Sequence, residues 1–254
     1  MILDSFKLDG KVALVTGADK GLGQGLALAL AEAGADIIGL SRSDSTATAE
    51  AVRSLGRRYH PVSSDLQTTK VDDLRNMVDE AAREFGSLDI LVNNAGTIRR
   101  GPAMEVPEAD WDDVLQVNLK SVFFLSQAAA RIMSSKGYGK IINIASMLSF
   151  QGGIHVISYA AAKSGLAGMT RGLANEWAAQ GISVNAIAPG YMATDNTAAL
   201  REDAKRSASI LERIPAGRWG TPEDLKGAAI FLASSASDYV NGSIIPVDGG
   251  WLAR

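Results

Sequence analysis

The sequence contains no cysteine and only two histidines, and these absences exclude several kinds of chemistry. Without cysteine the protein can form no disulfide and use no thiolate nucleophile. A zinc site built from clustered cysteine and histidine ligands is excluded as well, because His60 and His155 are its whole supply of imidazole. We therefore expect no metal, and the catalytic groups must come from other residue types.

Long hydrophobic runs and an excess of positive charge are also missing. The sequence has no uninterrupted apolar stretch of about 18 residues, so no membrane-spanning helix is expected. Its first eight residues include Asp4 and lack the apolar segment of a signal peptide. The net charge of −3 provides no basic footprint for nucleic acid. We expect a cytoplasmic protein with a small-molecule partner and neither a nucleic-acid nor a membrane partner.

Short apolar segments alternate along the chain with longer helical ones. The predicted strands are 12–16, 36–40, 59–63, 90–92, 140–144, 183–188 and 243–247, and the predicted helices are 23–33, 46–55, 70–85, 109–133, 158–178 and 222–232. Such alternation indicates right-handed βαβ units and a parallel sheet with both faces covered. The predicted fold class is therefore α/β, a single-domain doubly wound (Rossmann) sheet of about seven parallel strands over residues 1–254. The polar segment 192–218 is predicted to be a helical insertion over the site.

A glycine-rich turn follows the first predicted strand. Its sequence is Thr16-Gly17-Ala18-Asp19-Lys20-Gly21-Leu22-Gly23, and an Ala/Leu-rich helix comes directly after it. Glycines permit a tight turn and let backbone N–H groups approach a pyrophosphate at the helix N-terminus. The spacing differs from the general dinucleotide fingerprint. Its position between a strand and a helix nevertheless favours a dinucleotide site over a turn that binds nothing.

The end of the second predicted strand distinguishes between the two nicotinamide cofactors. An acidic residue there would hydrogen-bond the adenosine ribose, whereas an arginine can meet a 2′-phosphate. The chain has Ser41 and Arg42 at this point, and Lys20 in the glycine turn adds a second cation. These residues favour NADP(H). NAD(H) stays possible, because Arg42 could be solvated or could stack on adenine with either cofactor.

Tyr159 and Lys163 form the most informative pair in the chain, with Ser146 thirteen residues before the tyrosine. Residues four apart on a helix project from one face. An ammonium beside a phenol favours the phenolate, so we expect the pKa of Tyr159 to fall toward neutrality. Tyr159 is then a candidate proton donor and acceptor at an alcohol or ketone oxygen. Taken alone, the pair is better interpreted as a surface lysine near a half-buried tyrosine, because such pairs are common by chance, and the rest of the chain reverses that interpretation.

Several motifs together resemble the short-chain dehydrogenase/reductase family over nearly the whole chain. The matching segments are Thr16-Gly17 to Gly23, Asp65, Asn93-Asn94-Ala95-Gly96, Asn118, Ser146, Tyr159 with Lys163, and Pro189-Gly190. Ala162 stands where many members carry serine, which affects no catalytic position. The resemblance implies a nicotinamide-dependent oxidoreductase that acts on CH–OH groups. It also implies a homotetramer with 222 symmetry, built partly on the predicted helices 109–133 and 158–178.

The resemblance further implies roles for individual residues. Tyr159 would be the general acid/base, and Lys163 would lower its pKa and bind the nicotinamide ribose. Ser146 would hold the substrate oxygen, and Asn118 would support Lys163 through a water. The implied cofactor-binding residues are Gly17, Asp19, Lys20, Gly21, Leu22, Gly23, Ser41, Arg42, Asp65, Leu66, Asn93, Ala95, Gly96, Tyr159, Lys163, Pro189, Gly190, Met192 and Thr194.

Residues 145–153, 188–194 and 248–254 most resemble a branch of the family that acts on six-carbon sugar acids. This implies interconversion of a ketone and a secondary alcohol during breakdown of uronate polysaccharides such as pectin. A sugar acid needs a cation for its carboxylate. Arg99 or Arg100 is expected to bind it, and the other to be only solvated. The remaining expected substrate contacts are Ser146, Gln151, Tyr159, Tyr191 and Asn196, with Trp219 as a further lining residue.

Other functions stay open beside this one. A gluconate 5-dehydrogenase would bind a similar acid, whereas a 3-oxoacyl-carrier-protein reductase would need a basic docking patch, which Arg99 and Arg100 could supply. A nucleotide-sensing protein that has lost its chemistry is compatible with the fold. Such a sensor would need the glycine turn but no acid/base group, so the presence of Tyr159 and Lys163 argues against it.

Overall fold

The structure, a computed structural model, describes residues 1–253, and of Asn196 only the backbone. The strands are β1 (Val12–Thr16), β2 (Asp36–Ser41), β3 (Tyr59–Ser63), β4 (Ile90–Asn93), β5 (Gly139–Ile144), β6 (Ile182–Pro189) and β7 (Ile244–Val247). The α-helices are α1 (Gly21–Glu32), α2 (Thr46–Ser54), α3 (Val71–Phe85), α4 (Glu108–Leu115), α5 (Ser121–Ser135), α6 (Ile157–Trp177), α7 (Ala198–Glu202), α8 (Ala204–Arg213) and α9 (Glu223–Ala233). Short 3-10 turns cover Ile2–Phe6, Ala103–Glu105, Met147–Ser149, Ala178–Gln180, Asp195–Thr197, Ser235–Ser237 and Trp251–Ala253.

The seven strands form one parallel sheet in the order β3-β2-β1-β4-β5-β6-β7. This confirms the predicted doubly wound α/β fold. The strand order reverses between β1 and β4, so the connections on either side of this point run in opposite directions. In such sheets the crevice at the carboxyl ends of the strands receives the ligand. The glycine turn follows β1 and the Asn-Asn-Ala-Gly motif follows β4, so both lie at this crevice.

Buried side chains cover the two faces of the sheet. Neighbouring residues of a strand point to opposite faces. Val15 packs with Leu26 of α1 on one face, whereas Leu14 packs with Leu125 of α5 on the other. All four side chains are 1% exposed or less, and burying each contributes about 1.5–3 kcal/mol. Within residues 1–253, no helix has the length and hydropathy needed to cross a membrane.

Two helical predictions differ in detail from the structure. The predicted helix 109–133 is two helices, α4 and α5, joined by a π turn over Gln116–Lys120. One extra residue in that turn leaves no signature in the apolar pattern, so the sequence suggested a continuous helix. The predicted insertion 192–218 is helical, as expected, but it consists of a 3-10 turn followed by the short helices α7 and α8.

The glycine turn is tight because three of its residues lack a side chain. Gly17 and Gly21 have φ angles of 66° and 57°, in the left-handed region that favours glycine. A Cβ on Gly23 would lie 1.9 Å from the carbonyl oxygen of Gly17. The start of α1 therefore approaches the preceding turn more closely than any other residue would permit.

The steric limit at Gly23 can be tested by a single substitution. Gly23→Ala should lower the free energy of unfolding by about 1–3 kcal/mol, because an added methyl group must displace backbone, and it should weaken dinucleotide binding. Gly227→Ala is the matched control, since a Cβ there meets nothing within 4 Å. It should be neutral or stabilising by up to about 1 kcal/mol. Urea unfolding measures both effects, and equal stability of the two variants would contradict the steric argument.

Candidate active site

Hydrogen bonds join the two sides of the crevice. The Thr16 hydroxyl accepts the backbone N–H groups of Asn94 and Ala95, each at 2.9 Å. The Asn94 side chain in turn donates to the carbonyl oxygen of Thr16 at 2.9 Å and to that of Gly17 at 3.4 Å. The end of β4 therefore fixes the glycine turn that follows β1.

Tyr159, Lys163 and Ser146 meet at the carboxyl end of β5. Ser146 follows β5, and its hydroxyl accepts the N–H of Leu148, which starts the 3-10 turn Met147–Ser149. Two further hydroxyls fasten this turn to α6. Ser149 donates to the carbonyl of Lys163 at 2.7 Å, and Ser164 donates to the carbonyl of Leu148 at 3.2 Å. The helix that carries Tyr159 is thereby held beside Ser146.

The ammonium of Lys163 is buried, with the residue only 4% exposed. It donates to the carbonyl oxygen of Ile144 at 2.6 Å and lies 5.5 Å from the centroid of the Tyr159 ring. Burial disfavours the charged form and lowers the pKa of Lys163 to about 8. The lysine is thus close to its titration range at neutral pH.

The pKa of Tyr159 differs from the expectation. Burial raises the pKa of this phenol, while the hydrogen bond with Ser146 and the positive charge of Arg100 lower it. The prediction that this pKa falls toward neutrality is therefore wrong for this structure. The physical reason is the burial of the phenol, while the ammonium of Lys163 donates to the Ile144 carbonyl and lies 5.5 Å from the centroid of the ring.

Asn118 lies in the π turn between α4 and α5 and is fully buried. Its amide donates to the carbonyl oxygens of Thr97 and Val114, both at 2.8 Å. Its Oδ1 atom is buried without a hydrogen-bond partner, and a Cβ on Gly96 would lie 2.8 Å from it. An unpaired buried acceptor is costly, so this oxygen is suited to a water or ligand beside Gly96.

Asn93 differs from its neighbours, because its side chain turns into the protein. The residue is 2% exposed, and its amide donates to Ser126 on α5 at 3.0 Å and to Asn143 on β5 at 2.9 Å. Asn143 donates onward to Thr170 on α6 at 2.9 Å. The side chain of Asn93 therefore connects the sheet to two helices, and the expected contact of this residue with the adenosine side stays a prediction.

Among the residues expected to select the cofactor, the two cations are already paired with carboxylates. Ser41 is 4% exposed, and its hydroxyl has no hydrogen-bond partner. Arg42 lies 3.7 Å from Asp65, and Lys20 lies 2.8 Å from Asp195. Leu66 is buried next to Asp65, and its carbonyl accepts from Gln116. Each of the two cations therefore has a carboxylate partner within the protein.

The segment after β6 closes the other side of the crevice. Gly190 donates to the carbonyl of Val247, and a Cβ on Gly190 would lie 2.5 Å from the Cα of Asp248. Met192 is buried and pairs with Gly220 in a single parallel bridge. Thr194 begins the turn Asp195–Thr197. The segment from Pro189 to Thr194 thus runs from the carboxyl end of β6 to a position across the crevice from the glycine turn.

Arg99 and Arg100 face different surroundings. Arg99 points to α4, with its guanidinium 3.6 Å from Asp110 and 3.3 Å from Asp113. Arg100 is close enough to Tyr159 for its charge to lower the pKa of the phenol. The charge of Arg100 is thus within electrostatic range of the candidate acid/base, whereas Arg99 is paired with carboxylates on α4.

The remaining expected substrate residues are grouped around Trp251. Tyr191 contacts both Trp219 and Trp251, with ring centroids 5.5 and 4.8 Å apart. The Trp251 indole donates to Gln151 at 3.4 Å. His155 is exposed and has a φ of 61°, with its carbonyl accepting from Gly101. The side chain of Asn196 lies outside the described residues.

Comparisons with known proteins agree with this geometry. A family model described as Enoyl-(Acyl carrier protein) reductase matches residues 17–252. The 2-dehydro-3-deoxy-D-gluconate 5-dehydrogenase of Escherichia coli K12 is 63% identical over 255 residues, covering 100% of both chains. The chain belongs to the short-chain dehydrogenase/reductase family.

Solved structures of other short-chain dehydrogenases/reductases have the same fold. One, from Agrobacterium tumefaciens, is named as a candidate 2-deoxy-D-gluconate 3-dehydrogenase with bound NADP. It is 54% identical with a TM-score of 0.92, covering 98% of this chain and 99% of its own. A gluconate 5-dehydrogenase from Burkholderia cenocepacia, in complex with NADP and tartrate, is 42% identical with a TM-score of 0.95 and full coverage of both chains.

Sequence reasoning assigned no role to two groups that shape the site of this short-chain dehydrogenase/reductase. Asn94 was part of a recognised motif, but its contact with the glycine turn is visible only in three dimensions. The second group is the two-pronged ion pair between Arg218 and Asp224, at 2.7 and 2.6 Å, which borders a cavity of about 190 Å³ beside Met192 and Asp248. No group of three or more potential metal ligands is found within residues 1–253.

The buried charge of Lys163 makes a prediction about stability and pH. The pKa falls from 10.5 to about 8 on folding, which corresponds to a penalty on the order of 3 kcal/mol while the amine is charged. The penalty is full below pH 8, shrinks as the pH rises from 8 to 10.5, and is absent above. Lys163→Met should therefore raise the free energy of unfolding at pH 7 by about 1–3 kcal/mol, after loss of the Ile144 contact.

Urea unfolding of wild type and variant at pH 7 and near pH 10.5 measures this difference. Lys140→Met is the matched control, because Lys140 is 2% exposed but forms an ion pair with Asp238 at 2.8 Å. That variant should be destabilised. A Lys163→Met variant less stable than wild type at pH 7 would show that the carbonyl contact outweighs the burial of charge.

Proposed function

We propose that the protein is an NADP(H)-preferring oxidoreductase of the 2-dehydro-3-deoxy-D-gluconate 5-dehydrogenase type, which interconverts a ketone and a secondary alcohol on a six-carbon sugar acid. The observation that carries the proposal is the hydrogen bond between Tyr159 and Ser146 at the carboxyl end of β5, with the charge of Arg100 within electrostatic range of the phenol. One arrangement thus offers an acid/base, a hydroxyl for the reacting oxygen and a cation for a carboxylate.

The crevice fits a dinucleotide on its own features. The glycine turn has no side chain where the start of α1 meets it, and the buried hydroxyl of Ser41 lacks a partner at the end of β2. Backbone N–H groups at a helix N-terminus favour a diphosphate. The proposed contacts are Gly17, Asp19, Lys20, Gly21, Leu22, Gly23, Ser41, Arg42, Asp65, Leu66, Ala95, Gly96, Tyr159, Lys163, Pro189, Gly190, Met192 and Thr194. NADP is the cofactor bound in both solved relatives described above.

When bound, a nicotinamide dinucleotide supplies a hydride acceptor for the alcohol and a hydride donor for the ketone. In alcohol oxidation the phenolate form of Tyr159 accepts the hydroxyl proton as the alcohol carbon loses its hydride, and in ketone reduction the phenol form donates its proton to the ketone oxygen. Ser146 hydrogen-bonds the same oxygen and fixes its position beside the phenol. Lys163 supplies positive charge beneath the ring, and Asn118 supports it through a water at the unpaired Oδ1.

Arg100 is the proposed carboxylate ligand. Arg99 is engaged by Asp110 and Asp113, so its charge is compensated within the protein. Arg100 reaches the neighbourhood of Tyr159, where a sugar acid would place its reacting carbon. A guanidinium can hold a carboxylate through two parallel hydrogen bonds. Gln151 and Tyr191, which contact Trp251, are the proposed partners of the substrate hydroxyl groups.

The alternatives weighed from the sequence are less well supported. A 3-oxoacyl-carrier-protein reductase would need a basic docking patch, but two carboxylates compensate the charge of Arg99 in the patch that Arg99 and Arg100 could form. An activity assay on C6 ketoacids and aldonates, with both nicotinamide cofactors, distinguishes gluconate 5-dehydrogenase activity from the proposed activity. A homotetrameric assembly, a cytoplasmic location and a role in pectin breakdown complete the proposal.

Tyr159→Phe tests the acid/base assignment. Loss of the hydroxyl should lower kcat by about 10²–10⁴-fold, while the Kd of NADPH, measured by nicotinamide fluorescence, changes little. Tyr239→Phe is the control, because Tyr239 is fully exposed on the surface and should keep wild-type kinetics. Turnover at the wild-type rate in Tyr159→Phe would remove the proposed mechanism.

Substitution of the two arginines tests the carboxylate site. Arg100→Ala should raise KM for the sugar acid by about 10-fold or more, as expected for a hydrogen bond between charged groups. The pH profile of alcohol oxidation should also move upward, because Arg100 lowers the pKa of Tyr159. Arg99→Ala should leave KM nearly unchanged. If Arg99→Ala gave the larger KM effect, the carboxylate site would have to be placed on the other arginine.

A further inference from the structure

An ion pair spans the crevice at the start of α1. Lys20 directly precedes α1, and its ammonium lies 2.8 Å from the carboxylate of Asp195 in the turn after Thr194. The two segments also approach each other beside Gly21, since a Cβ there would lie 4.0 Å from the side-chain methyl carbon of Thr194. We call residues 194–213, which contain this turn, α7 and α8, the strap.

The charges around this contact are arranged in pairs. Asp195 raises the pKa of Lys20, and Lys20 lowers the pKa of Asp195, while Arg42 is near enough to lower the pKa of Lys20. Lys20 and Arg42 therefore lie within electrostatic reach of each other. Arg42 has its own carboxylate, Asp65, at 3.7 Å. A phosphate that uses these cations must compete with carboxylates of the protein.

The strap is held in place independently of the ion pair. At its far end, Ile210 and the next residue after the strap, Ile214, are buried with Met147 and Trp251. At its near end, Arg201 donates to the carbonyl oxygen of Thr194 at 3.2 Å. Asp195 is thus presented to Lys20 by a segment with its own packing, and a change at Asp195 should leave the fold intact.

We propose that Asp195 is a specificity-determining residue that competes with the 2′-phosphate of NADP(H) for Lys20 and so moderates the preference over NAD(H). This inference rests on the proposed function for the identity of the cofactor. NAD(H) lacks the 2′-phosphate and leaves the Lys20–Asp195 pair in place. The 2′-phosphate of NADP(H) can pair with the Lys20 ammonium only if it displaces the Asp195 carboxylate. The carboxylate therefore weakens binding of one cofactor and not the other.

Asp195→Asn tests the proposal through equilibrium binding, without substrate. Fluorescence titration should give a Kd for NADPH that falls about two- to fivefold, as expected for an exposed ion pair, and a Kd for NADH that stays nearly the same. The difference should shrink at high salt, because exposed charges are screened. An unchanged ratio of the two Kd values, or an equal change in both, would overturn the proposal.

Two further variants separate competition at Lys20 from general charge effects. Glu202→Gln removes the same charge from an exposed site on α7 of the strap and should leave the ratio unchanged. In a Lys20→Gln background, Asp195→Asn should lose its effect. An equal effect of Glu202→Gln, or persistence in the Lys20→Gln background, would overturn the proposal. If wild type binds neither dinucleotide, it is the proposed function that fails.

Discussion

The contact between the Lys163 ammonium and the Ile144 carbonyl places a cation inside the protein at the end of β5, and the candidate site is arranged around it. A buried charge tolerates little displacement, because it depends on the few dipoles that replace water. Ser149 and Ser164 limit that displacement by fastening α6 to the turn that carries Ser146. The fold therefore contains a destabilising buried lysine. This lysine places a positive charge beneath the ring of Tyr159, whose orientation is fixed.

The dinucleotide side of the site depends on backbone shape more than on side chains. The glycine turn is shaped by missing Cβ atoms, and Asn94 locks it to β4 with hydrogen bonds to carbonyl oxygens. Charged side chains lie at the rim of this part of the site, where Lys20 pairs with Asp195 and Arg42 pairs with Asp65. In the function proposed here, the shape of the turn would account for binding of a dinucleotide, and the charged side chains at the rim would discriminate between NAD(H) and NADP(H).

Apolar patterning predicted the sheet well, because parallel strands buried on both faces give continuous runs such as Val12–Thr16, and a glycine turn marks the first crossover. Patterning could not show which way a side chain turns at a strand end. Asn93 and Asn94 are adjacent and chemically identical, yet one is buried among helices and the other supports the glycine turn. Likewise, only the position of α4 reveals that Arg99 meets two carboxylates while Arg100 approaches Tyr159.

The π turn at Gln116–Lys120 has a consequence for how this part of the chain can vary. Each residue of a regular helix advances the rotation by about 100°. The π turn adds one residue without adding a full step of rotation. It thereby directs the side-chain oxygen Oδ1 of Asn118 toward the region beside Gly96. Deleting a single residue here would restore a regular α-helix and rotate the Asn118 side chain away from Gly96. The segment is therefore sensitive to a change of length.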